Sequence, residues 1–215
     1  MSEFFDKVNT IYESKREKSW EHCRRFFLEN RNNPKQNDTM CLHLACYLAS
    51  FGMYRNSFLL ENDYKIHSNV VEKLCSIEDK YWHFDPFTIS ADELDKCLNY
   101  LTGEIREVLS ASYIDIKSKT SMTNIKANLS IISDTLITKV LMGTLGCVPA
   151  FDERLRKGLK ISGLKQTYTK NNMKEIIAMI KAKGLESDIY FLCEKHNVYT
   201  PMRVVDMYLW ALGCE

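Results

Sequence analysis

No apolar run in this 215-residue chain reaches the ~18 residues that a membrane-spanning helix needs, so no membrane partner is expected. The first residues, Met1-Ser2-Glu3-Phe4-Phe5-Asp6-Lys7, lack the basic-then-apolar form of a secretory signal, which predicts a cytoplasmic protein. No Cys-x-x-Cys occurs among the eight cysteines, and none sits at zinc-finger spacing beside a histidine pair. The sequence therefore predicts reduced thiols rather than a disulfide framework, with Cys41 and Cys46 as small hydrophobes on a helix face. The five histidines (22, 43, 67, 83 and 196) show no ligand spacing, and no metal is expected. Glycine-rich phosphate loops, Gly-x-Ser-x-Gly and dinucleotide fingerprints are absent too, so no cofactor is predicted.

Strand signals are few, and helical ones recur along the chain. Residues 2–16 and 17–30 read as amphipathic helices, followed by a polar loop at 30–37. Asp38 is a candidate cap for the helix that carries Leu42, Ala45, Tyr47, Leu48 and Phe51, and Gly52 interrupts it. Another helical segment begins at Val70–Leu74, and Tyr81–Phe87 reads as a turn or loop. Ser90 with Glu93 forms a capping box for a helix to about Leu109. Met173, Ile176, Ile177 and Ile180 mark a helix stopped by Gly184, and Thr200-Pro201 opens a last one closed by Gly213. The expected fold class is all-α.

Charge is unevenly placed. Residues 117–183 hold 13 basic and four acidic side chains, a net of +9, which leaves −8 for the rest of a chain totalling +1. Such a split is the footprint of one lobe facing a polyanion. It predicts an acidic lobe at about 1–116, a basic lobe at 117–183 and C-terminal helices at 184–215, with the lobe junction in the polar stretch 117–130.

The segment Ser133–Lys160 joins these signals. Leu136, Ile137, Val140, Leu141, Thr144 and Leu145 lay an apolar stripe along a helix that Ser133 or Asp134 can cap and Gly146 can end. Pro149 fixes the turn, which puts Asp152 in the first turn of the next helix. Arg154, Arg156, Lys157 and Lys160 follow directly. This pattern, helix–Gly–x–x–Pro–x–x–Asp–x–x–Leu–x–Lys, resembles the catalytic segment of helix-hairpin-helix DNA glycosylases, with Asp152 matching the essential aspartate and Leu155 the apolar residue after it.

The resemblance implies a two-lobed, all-α protein and a divergent member of that family, because the hairpin glycines are missing from Lys126-Ala127-Asn128-Leu129-Ser130-Ile131. It implies double-stranded DNA as partner, a monomer, eversion of a damaged or modified base, and hydrolysis of its N-glycosidic bond. Asp152 would be the catalytic carboxylate, since cleavage builds positive charge on the sugar that a carboxylate stabilises. Lyase-competent members carry a lysine ahead of the apolar helix, where this chain has Ser133, Asp134 and Thr135, so a monofunctional enzyme is implied. Lys126, Asn128, Ser133, Lys139, Arg154, Arg156, Lys157 and Lys160 are the candidate DNA contacts.

Two aromatic segments are candidates for the base pocket, which needs stacking surfaces beside hydrogen-bond donors. One is Phe51–Phe58, with Tyr54, Arg55 and Asn56; the other is Tyr81–Phe84, with Trp82 and His83. Their unusual composition suggests an unusual base, such as a bulky modified cytosine of phage DNA, and hence a role in phage defence. A non-catalytic nucleic-acid-binding protein and a helical protein-interaction adaptor are the alternatives.

Overall fold

The computed structural model describes residues 3–12, 17–119 and 132–214. Every regular element among them is helical, as the apolar spacing predicts, and no strand occurs among the described residues. The longer helices are α1 (Glu3–Tyr12), α2 (Glu17–Asn30), α3 (Asn37–Ser50) and α4 (Ser68–Cys75). A single turn, α5 (Asp79–Trp82), precedes α6 (Ala91–Asn99) and α7 (Ile105–Lys119). The second half holds α8 (Asp134–Thr144), α9 (Glu153–Ile161), α10 (Lys170–Ala182), α11 (Glu186–Lys195) and α12 (Pro201–Leu212). No helix among the described residues is long and apolar enough to cross a membrane.

Helix α8 is the centre of the fold. Every residue from Leu136 to Thr144 is buried, so this helix is enclosed on all sides rather than along one stripe. It packs against α2 and α3, while α12 packs against α1, α9 and α11. One continuous apolar cluster runs from Phe4 in α1 to Leu209 in α12. Helices α9 and α12 approach so closely that glycines are required where they meet. A Cβ on Gly158 would stand 1.8 Å from the Leu209 carbonyl oxygen, and one on Gly213 would stand 1.9 Å from that of Arg154.

Several boundaries differ from the sequence reading, each for a local reason. Helix α1 is described over Glu3–Tyr12, and the rest of the expected 2–16 span lies outside the described residues. Asp38 does not cap α3: it lies inside the first turn, and its carboxylate accepts from the Tyr64 hydroxyl at 3.0 Å. The helix opened by Ser90 continues past Leu109 to Lys119 through a π-helical segment at Tyr100–Glu104, because Leu101, Ile105, Leu109 and Tyr113 keep a buried stripe facing the core. All eight cysteines are free, as expected, yet Cys46 is exposed and not part of the apolar face. The lobe junction at 117–130 lies mostly outside the described residues.

Candidate functional site

Ser133 caps α8, its hydroxyl accepting from Leu136 N at 3.2 Å. Two threonines on the next turns then hold the segment that returns after the helix. Thr138 Oγ accepts from Phe151 N at 2.9 Å, and Thr135 Oγ donates to Phe151 O at 2.9 Å. The intervening turn is fastened from outside as well. Thr200 Oγ donates to Gly146 O at 2.5 Å, Arg24 donates to Thr144 O, and Ala150 N donates to Asp206 Oδ1 at 2.8 Å. Buried backbone groups are costly unless paired, and here each partner also fixes the path of the chain.

That path delivers Asp152 to a defined place. It is the N-cap of α9, one residue earlier than expected, with extended backbone (φ −82°, ψ 178°) and Oδ1 accepting from Leu155 N at 3.0 Å. Its other oxygen, Oδ2, receives Lys139 Nζ at 2.6 Å. Lys139 projects from the middle of α8, and its ammonium also sits 4.8 Å from the Phe51 ring centroid. The lysine side chain is 5% exposed and the aspartate 20%, so the carboxylate faces the outside and the ammonium lies beneath it.

The pair lies at a cleft of about 410 Å³ lined by Phe51, Gly52, Arg55, Glu153, Arg154 and Trp210. Gly52 turns the chain into the wall with φ +76°; Met53 N returns to Leu48 O and Gly52 N to Ala49 O, the hydrogen bonds of a Schellman cap. On the opposite side the Arg154 guanidinium lies over the Trp210 ring at 4.6 Å and donates to Cys214 Sγ at 3.1 Å. Arg55, Glu153 and Arg154 are exposed.

A second layer of charge backs the pair. Asp206 and Arg203 of α12 are paired with each other, and Arg203 also pairs with Glu17 of α2; all three are buried. Burial raises the Asp206 carboxyl above its usual range, opposed by Arg203 and Lys139 and reinforced by Asp152. A carboxylate anchored at both oxygens cannot swing, so it is preorganised to stabilise a cation or orient a water in the cleft.

The structure brings together only part of the predicted site. Asp152, Arg55 and Arg154 meet at the cleft. Tyr54 points elsewhere: its hydroxyl bonds His67 Nε2 at 2.9 Å. Asn56 is exposed at the turn with φ 53°. Trp82 is a core residue at 1% exposure, stacked on Phe27, and with the exposed His83 it borders a cavity separate from the Asp152 cleft. Lys139 is not a surface DNA contact; it lies at the cleft with Asp152. No lysine stands ahead of the apolar helix, at 133–135, but Lys139 reaches the aspartate from within it. Ser133 spends its hydroxyl on the cap. Arg156 is half-buried, Lys157 and Lys160 are exposed along α9, and Lys126 and Asn128 lie outside the described residues.

Sequence reasoning missed Trp210, Arg203 and Asp206. The last had a readable signal, a lone acid inside the apolar run Val204-Val205-Asp206-Met207, as Lys139 is a lone cation among apolar neighbours. Among the described residues no group of histidine, cysteine and acidic side chains is placed to hold a metal. No protein-family model, curated protein or solved structure matches this chain.

Proposed function

We propose that this protein is a monofunctional DNA glycosylase that works at the Asp152 cleft. The observation that carries the reading is the position of Asp152: an outward-facing carboxylate, fixed by Leu155 N and Lys139, between Arg55 and Arg154. An everted nucleotide would enter the cleft with its phosphates near the arginines. Asp152 would stabilise the developing oxocarbenium ion and orient the attacking water. Lys139 directs its Nζ onto Asp152 Oδ2 and would not act as a free amine nucleophile, so the product is an abasic site with the strand intact. A modified pyrimidine of phage DNA is the substrate class this reading favours, and phage defence its setting.

The same geometry favours one other reading. Both Asp152 oxygens are occupied, as in a purely structural N-cap with an ion pair, which suits a nucleic-acid-binding protein without catalysis. Abasic-site formation separates the two. Duplexes carrying uracil, alkylated or oxidised bases, and phage genomic DNA with modified cytosine, are incubated with wild type and Asp152→Asn and then treated with alkali. Release by wild type alone supports the glycosylase. Binding without release on any substrate rejects catalysis, and absence of binding rejects the nucleic-acid reading altogether.

A further inference from the structure

A second cavity, of about 320 Å³, opens between α2, the turn after α5, α11 and the head of α12, and shares no lining residue with the Asp152 cleft. Its wall includes Arg24, Trp82 and Tyr199, which are 2%, 1% and 7% exposed. Arg24 donates to two neutral acceptors, Thr144 O and Trp82 O, and no carboxylate pairs with it among the described residues. Its Nε takes no partner. Neither do Trp82 Nε1 and the Tyr199 hydroxyl, so three residues that line this cavity each keep a buried donor without an acceptor.

Buried charges are ordinarily paired, and buried donors ordinarily bonded. Burial brings the Arg24 pKa down only to about 10, so the guanidinium remains charged at neutral pH. The one acid in the wall, Asp85, is already engaged: Oδ1 accepts from Phe87 N at 2.9 Å and Oδ2 from the Tyr190 hydroxyl at 2.9 Å. Thr200 and Pro201 also line the cavity, which brings the positive end of the α12 dipole to it.

We propose that this cavity binds a small oxyanion, a phosphate or carboxylate on a body no larger than a nucleotide, with Arg24 as the compensated charge. Such a ligand supplies the negative charge and the acceptor atoms that Arg24, Trp82 and Tyr199 lack. Water supplies acceptors but no charge. The size falls in the range of small-molecule sites, and side-chain adjustments of the kind common on binding bring the anion to the buried donors.

The test is a titration of the full chain, read by tryptophan fluorescence and thermal unfolding. The probes are inorganic phosphate, a nucleoside 5′-monophosphate and benzoate, with the neutral nucleoside and benzamide as controls. Arg24→Gln removes the charge but also two structural hydrogen bonds. Two milder changes therefore accompany it: His83→Glu places a like charge at an exposed wall position, and Asn197→Trp fills the exposed mouth. Saturable binding of an anion, absent for the neutral controls, retained in Asp152→Asn and weakened at least about tenfold by both wall variants, is expected. The phosphate and carboxylate arms then identify the headgroup. Lack of saturation by every anion up to about 10 mM overturns the proposal. So does binding that ignores both wall variants, or that vanishes only in Asp152→Asn.

Discussion

Lys139 Nζ stands 2.6 Å from Asp152 Oδ2, and only one member of this pair faces solvent to any extent. The lysine is the cation between two acids, because Asp206 behind it also feels its charge. Removing the ammonium leaves a buried acid and a half-buried one facing each other. Lys139→Met should therefore cost about 3–5 kcal/mol, the usual penalty for breaking a buried pair from one side. Asp152→Asn should cost less, since an amide oxygen can still accept from Leu155 N. The double variant should recover part of the Lys139→Met destabilisation, giving a coupling energy in a urea double-mutant cycle. A Lys139→Met cost below about 1 kcal/mol would place the pair with ordinary surface bridges and remove its role in fixing Asp152.

The close approach of α9 and α12 makes a sharper prediction about stability. Gly158 faces the Leu209 carbonyl and Gly213 faces that of Arg154, both backbone atoms that cannot rotate away. Gly158→Ala should force the helices apart and destabilise by about 1–3 kcal/mol or more, although alanine is the better helix former. In thermal unfolding that is roughly 2–4 °C per kcal/mol for a chain of this size. Because Asp152 caps α9, the same change should also disturb the cleft. An unchanged melting temperature would contradict the close approach.

How far the sequence reveals this architecture depends on the range of the interaction. Local signals are readable: Ser90, Ser133 and Thr200 cap helices where expected, and the Met173–Ile180 stripe is buried. Long-range partners are not. Nothing near Lys139 in sequence announces Asp152, because the turn that reverses the chain is set by Thr200, Arg24 and Asp206 from distant helices. Trp82 misleads for a related reason: an aromatic segment beside a Pro turn looks alike whether its rings face solvent or the core. The charge split is legible in number but not in availability, since Lys170 and Lys174 pair with Asp95.

That pairing narrows the surface left for a polyanion. With Lys139 buried and Lys170 and Lys174 engaged, the exposed cations of the basic 117–183 region that lie nearest Asp152 in sequence are Arg154, Lys157 and Lys160, with Arg55 joining them from the other half of the chain. Lys157→Glu with Lys160→Glu should weaken duplex binding uniformly across sequences. The slope of log affinity against log salt should fall by about 0.9 for each phosphate that is no longer neutralised. Fluorescence anisotropy over a salt series measures both. An unchanged slope would remove this face of α9 from the interface.

The pH dependence of stability has a separate origin, in the core near α7. His67 is fully buried, with Nδ1 2.8 Å from the Tyr113 hydroxyl and Nε2 2.9 Å from that of Tyr54. Burial lowers its pKa to about 4 in the fold, against 6.5 for the free side chain. Above pH 6.5 neither folded nor unfolded chain binds this proton, and the full contribution of neutral His67 is present. Between 6.5 and about 4 the unfolded chain binds it and the folded chain does not, so stability falls as pH falls. Below that range both are protonated and the decline levels off. The total should approach about 3 kcal/mol, at 1.36 kcal/mol per pKa unit. Asp206 works in the opposite direction, because its raised pKa favours the folded state as pH falls. His43 and His196, both lowered by burial, add to the His67 trend. The difference between wild type and His67→Gln isolates the His67 contribution. Urea midpoints taken between about pH 7 and 4.5 should fall more steeply for wild type than for the variant. Parallel curves would mean that the folded chain binds the His67 proton as readily as the unfolded chain does, and would remove burial of a neutral imidazole as the origin of the slope.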